Sequence, residues 1–146
     1  YRADFAKHAG PANAMTINAV FESVPRQLAK DNRKFQMKLV QPGGRYERLK
    51  PAIDWLGGAG LCYKVPILEH IETPLKIHAA ENSFKLYFFD VGLLGALAEL
   101  PINAFSSEDE IFTTFKGAFS ENLFLQEFTS ARQETLCSTN TRMGRQ

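Results

Sequence analysis

The stretch RYERLKPAIDWLGGAGLCYKV, Arg45 to Val65, decides the fold, because a helical hydrophobic period ends inside it and a strand begins. Tyr46, Leu49, Ile53 and Leu56, with Ala52 and Trp55 beside them, recur at the 3.6-residue spacing of a helix that buries one side. This places Tyr46 and Trp55 in the core, the alternative being that they stack on nucleic-acid bases. Pro51 predicts that the regular part of the helix starts late, because an interior proline removes an intrahelical bond. GGAG closes it, with Gly60 as the left-handed cap. LCYKVPI then reads as a strand.

Working upstream, Met15, Ile17, Ala19, Val20 and Phe21 suit a short amphipathic helix over Ala14 to Phe21. ESVPRQLAKDN reads as a second one that opens with Pro25 in its first turn, so the two helices are expected to meet at a tight corner. KFQMKLV alternates Phe35, Met37 and Leu39 with more polar neighbours, which predicts a short half-buried strand, and QPGG turns the chain after it.

Downstream, LKIHAA and FKLYFF read as strands. Asp90 is placed to cap a helix running to Leu100, with Pro101 at its end. SSEDE predicts another helix start, where Ser106 stands three residues before Asp109. A long helix over about Ile111 to Gln133 carries Phe112, Phe115, Phe119 and Leu123, widened by Phe124 and Phe128. So apolar a helix needs a second layer. The remaining ETLCSTNTRMGRQ offers one short strand, which predicts that the chain is part of something larger or forms a homo-oligomer through this face.

Helix, helix, short strand, helix and strand pair is the order of a winged helix-turn-helix. The expected fold class is therefore α+β, mainly helical. Composition agrees with a globular protein: 146 residues, 45% hydrophobic, with 12 Phe. No apolar run approaches the roughly 18 residues that cross a bilayer, and YRADFAKHAG has neither feature of a signal peptide, so no membrane partner and a cytoplasmic location are expected. Cys62 and Cys137 belong to no CxxC or Cys/His cluster and read as reduced thiols.

The formal net charge of +1 hides an asymmetry. Between Val24 and Lys50 stand eight basic residues, Arg26, Lys30, Arg33, Lys34, Lys38, Arg45, Arg48 and Lys50, against Asp31 and Glu47. That density on the second and third helices suits either a phosphate-binding face with DNA as the partner or an ordinary solvated surface. Catalytic constellations are missing. The chain has no GxxxxGK[ST], GxGxxG, HExxH or GxSxG, and His8, His70 and His78 lack partners at ligand spacing. Glu121 is the one acid placed where a hard cation could be held, if other carboxylates converge on it; otherwise it is a surface residue of the long helix.

The segments FESVPRQLAKDNRKFQ, RYERLKPAIDWLGGAGLCYKV, FKLYFFDVGLL and FKGAFSENLFLQEF resemble the C-terminal half of a family of prokaryotic AAA-type ATPases that carry a domain of unknown function. The likeness runs in order over nearly the whole chain. It implies an N-terminal P-loop ATPase, a winged-helix region, and a C-terminal region similar to restriction-endonuclease-like PD-(D/E)XK folds. On that reading residues 1–12 end the ATPase helical lid, 13–89 form the winged helix-turn-helix, and 90–146 are the truncated start of the nuclease-like domain. No Walker sequence is present, so ATP and Mg²⁺ belong to the parent protein and no cofactor to this part of it. The resemblance matches Glu121 to a helical glutamate of nuclease-like folds, but their aspartate and (D/E)xK pair have no counterpart here. The expected function is a noncatalytic module contacting DNA or the ATPase core of the same chain. The alternatives are a protein-interaction spacer or part of a metal-dependent nuclease-like domain.

Overall fold

A computed structural model describes residues 2–30, 34–68, 79–99, 110–131 and 138–139. The fold is α+β and mainly helical. Helices α1 (Arg2–Ala9) and α2 (Pro11–Ala29) lead to a 3-10 turn (Met37–Leu39) and helix α3 (Tyr46–Gly58). Strands β1 (Cys62–Leu68) and β2 (Ala79–Phe88) follow, then α4 (Val91–Leu97), α5 (Glu110–Ala131) and β3 (Ser138–Thr139).

The first departure from expectation is α2, a single helix with no corner at Pro25. Gly10, at φ +79°, makes the turn out of α1, and Pro11 starts α2 where a missing N–H costs nothing. Pro25 lies inside the helix, which costs about 3 kcal/mol. The helix persists because Ile17, Val20, Phe21 and Val24 are all buried, and each such side chain contributes about 1.5–3 kcal/mol. A corner would pull part of that stripe out of the core.

The second departure is KFQMKLV, which curls into the 3-10 turn after a single sheet-like bond from Phe35 N–H to the Phe84 carbonyl at 2.7 Å. Alternation alone could not reveal the restraints. Gln36 N–H donates to Gln27 Oε1 at 2.7 Å, and Arg26 donates to the Leu39 carbonyl. Gly44 sits against the turn so closely that a Cβ there would lie 2.2 Å from the Met37 oxygen.

The third departure is the start of α3, which is regular from Tyr46 through Pro51. Its end is as expected. Gly60 has φ +69°, Gly60 N–H donates to Gly57 at 3.0 Å, and Leu61 N–H donates to Leu56 at 3.0 Å. These two bonds form a Schellman cap, and Leu56 and Leu61 are both buried beside it.

β1 and β2 pair antiparallel, Cys62 opposite Phe88 and Pro66 opposite Phe84, with an irregularity after Pro66. β3 adds a short parallel pairing to Ile67 and Leu68. The main core joins Phe5 of α1, Val20 and Phe21 of α2, Leu49 and Ile53 of α3, Phe84 and Phe88 of β2, and Leu94 of α4. Asp90 caps α4 as expected, its carboxylate accepting from Gly92 N–H at 2.9 Å. LKIHAA and FKLYFF, expected as two strands, are not separate where both are described, since β2 runs unbroken from Ala79 through Phe88. The rest of LKIHAA, the helix start expected at Ser106, the stop at Pro101 and the thiol of Cys137 lie outside the described residues.

One side of α5 finds its partner layer within the described residues. It packs on α2, β2 and α4 through Ala118, Asn122 and Leu125. Leu123 and Phe124 point away and are exposed.

Candidate functional site

The basic block is divided among different jobs. Arg26 is exposed, and its guanidinium holds the carbonyl of Leu39. Lys50 is tied to Glu81, with Asp54 4.0 Å away. The hydrogen bond to Glu81 holds the Lys50 pKa above its ordinary value, and Lys50 in turn holds Glu81 below the usual carboxylate range. Lys34 borders a small groove with Lys85. Arg48 turns toward α1 and α2, while Arg45 stands at the N-cap of α3. Lys30, Lys34, Lys38, Arg45 and Arg48 are exposed, and among the described residues none has an ion-pair partner. Arg33 lies outside the described residues.

Although Arg48 is exposed on α3, the line beside it along the helix is not basic. Glu47, Pro51, Asp54 and Gly58 recur along one exposed side, while Tyr46, Leu49, Ala52, Ile53 and Leu56 are buried on the other. The hairpin side of α3 is closed by Lys64, whose ammonium donates to Tyr46 Oη at 2.7 Å and lies 4.9 Å and 4.7 Å from the Tyr46 and Phe84 ring centres. Cation–π attraction and the hydrogen bond together fix this lysine in place.

A cleft of about 180 Å³ opens between α1, α2 and α3. Its polar lining includes His8, Asn13, Thr16 and Arg48. Ile17, Ala52 and Trp55 supply apolar wall, and Trp55 is braced edge-on by Phe5 at 5.4 Å. His8 thus has a place at a cleft; His70 and His78 lie outside the described residues.

Glu121 is not free to gather a metal. Its carboxylate accepts from Lys85 Nζ at 2.8 Å and Tyr87 Oη at 2.7 Å. Burial first, and then the neighbouring Glu121, push the Tyr87 hydroxyl well above its ordinary pKa. Among the described residues no group of three His, Cys, Asp or Glu could hold a metal ion. Cys62 is a buried free thiol, pushed up to about 12 by burial, so it is a poor nucleophile.

Glu121 instead begins a row of polar contacts. Asn122 is fully buried, accepting from Phe88 N–H at 2.9 Å and donating to its carbonyl at 3.0 Å. Gln126 accepts from Val91 N–H at 2.9 Å, at the start of α4. The sequence blocks FKLYFFDVGLL and SENLFLQ therefore meet in space and answer each other bond for bond. A second buried pair, Ser23 and Gln27, secures the Gln36 end of the α2–α3 connection, with Gln27 Nε2 donating to Ser23 Oγ at 3.1 Å.

Sequence reasoning missed Ser23, Gln27, Asn122 and Gln126. A signal existed for the first pair, since Ser23 and Gln27 share one side of a helix with Val20 and Val24. Among the described residues, no helix is long and apolar enough to cross a membrane. The family model described as "Domain of unknown function (DUF8612)" matches residues 1–104. No curated protein and no solved structure matches this chain.

Proposed function

The chain belongs to the DUF8612 family, and we propose that it is a noncatalytic winged-helix module of a AAA-type ATP-binding protein that acts through protein contact, against the ATPase core or a neighbouring subunit. ATP and Mg²⁺ would then be handled by the ATPase part, and residues after α4 would lead toward a nuclease-like region. The order α2, 3-10 turn, α3 and antiparallel hairpin, with the Phe35–Phe84 bond beside it, supports the winged-helix reading.

The observation that carries the choice of protein over DNA is the exposed line of α3. In a winged helix that reads bases, this helix enters the major groove and offers Arg, Lys, Asn or Gln to base edges. Glu47 and Asp54 would instead meet phosphate repulsion, and Pro51 and Gly58 offer no side-chain donor. Carboxylates flanked by small residues suit a protein surface that presents Lys or Arg.

A second reading has its own observation. Lys30, Lys34, Lys38 and Arg45 are exposed and unpaired among the described residues, a set suited to sequence-independent contact with phosphates. The two readings separate in one experiment. Association of this module with the separately expressed ATPase part of its parent protein, followed by sedimentation, should be lost on reversing Glu47 and Asp54 to Lys. If association survives that double reversal, or never occurs with the unaltered module, the protein-contact reading fails.

A further inference from the structure

We infer that the cleft between α1, α2 and α3 is a binding site for a small carboxylate with a flat apolar body about the size of one six-membered ring. This site is independent of the contact role proposed above. Its volume of about 180 Å³ is sufficient, since cavities of roughly 150 Å³ accept benzene. Its walls divide into two chemistries, with Ile17, Ala52 and the half-buried Trp55 on one hand and His8, Asn13, Thr16 and Arg48 on the other.

The sign of the ligand follows from what surrounds the opening. Among the described residues, no Asp or Glu lines the cleft. Arg48 has no ion-pair partner among the described residues, and a guanidinium matches a carboxylate with two parallel N–H donors. The first turn of α2 contains no acidic residue and no side-chain cap, so the positive end of its dipole is not neutralised. Asn13, in that turn, lines the cleft, with its Nδ2 already given to the Ala9 carbonyl at 3.1 Å. A flat ring stacks on an indole, which decides for a planar body over a bulky aliphatic one.

Trp55 is the one tryptophan of the chain, so its fluorescence reports directly on the cleft. Titration with benzoate should give a saturable change with a dissociation constant on the order of 1 mM, as expected for so small a ligand. Benzamide, equal in shape and uncharged, should bind at least about tenfold more weakly. Arg48→Gln should weaken benzoate about tenfold and leave benzamide unchanged, since Arg48 is exposed and its replacement removes no core contact. Saturation-transfer NMR on the same samples gives a second readout. Absence of saturable benzoate binding, equal affinity for benzamide, or an unchanged benzoate affinity in Arg48→Gln overturns the proposal.

Discussion

Helices α3 and α5 lie against the same core and are held there by different physics. α3 enters on Leu49, Ala52, Ile53 and Leu56, all buried and all apolar. α5 brings Ala118, Leu125 and the partly buried Phe119, and adds Glu121, Asn122 and Gln126, which reach the hydroxyl of Tyr87 and the backbone of Phe88 and Val91. Apolar contact rewards area and tolerates small slips, whereas hydrogen bonds fix position. Phe84 and Phe88 are four residues apart, so their outward backbone groups share one edge of β2; Phe35 occupies one and Asn122 the other. α5 thus does for part of this edge what another strand would do, and leaves fewer free groups for a foreign chain.

Substitutions on each side test that contrast. Leu56→Ala should cost about 2–5 kcal/mol in denaturant unfolding, through lost burial and a cavity; a loss under about 1 kcal/mol would mean that α3 is not part of the core. Asn122→Ala leaves two buried backbone groups of Phe88 unpaired and should cost about 2–4 kcal/mol. Hydrogen exchange should then rise at Phe88 more than at Val65. Equal exchange at the two positions would show α5 to be held by its apolar contacts alone.

Alkali gives a milder test. Tyr87 and Cys62 both have folded-state pKa values raised above their unfolded ones, so their contribution is complete below the unfolded values and is lost as pH rises. Stability should fall from about pH 9 upward, and Tyr87→Phe should flatten the part of the decline above about pH 10. A decline unchanged by Tyr87→Phe and Cys62→Ala would assign it elsewhere. Glu121→Gln should be smaller still, about 1 kcal/mol or less, because Glu121 is 47% exposed and the amide oxygen can still accept from Tyr87. Phe124→Glu, on the outer side of α5, should change stability by no more than about 0.5 kcal/mol. Sedimentation of that variant reports separately on the homo-oligomer expected from the apolar helix.

Much of α3 and of the two strands was legible, because hydrophobic period, glycine cap and strand composition all pointed the same way over Tyr46 to Leu68 and again over Phe84 to Phe88. Pro25 and Pro51 misled for one reason: local propensity costs about 3 kcal/mol, and tertiary burial of a helix stripe exceeds it. The Phe35 to Val40 segment misled because its restraints, Gln27, Arg26 and Gly44, act through space. The candidate site was less legible. Counting charges found the basic block but could not see Arg26 spent on Leu39, Lys50 on Glu81, or Glu121 on Lys85 and Tyr87. Helical phase could have exposed the Glu47, Pro51, Asp54 and Gly58 line, which the net charge concealed.

The central claim is that α3 offers its outer side to protein and not to bases. Fluorescence anisotropy against a panel of labelled duplexes, at about 50 and 200 mM salt, tests it most directly. The account predicts weak binding, the same for every duplex and lost at the higher salt, and unchanged by Glu47→Ala or Asp54→Ala. A tenfold or larger preference for one sequence that survives at the higher salt and responds to either substitution would contradict it.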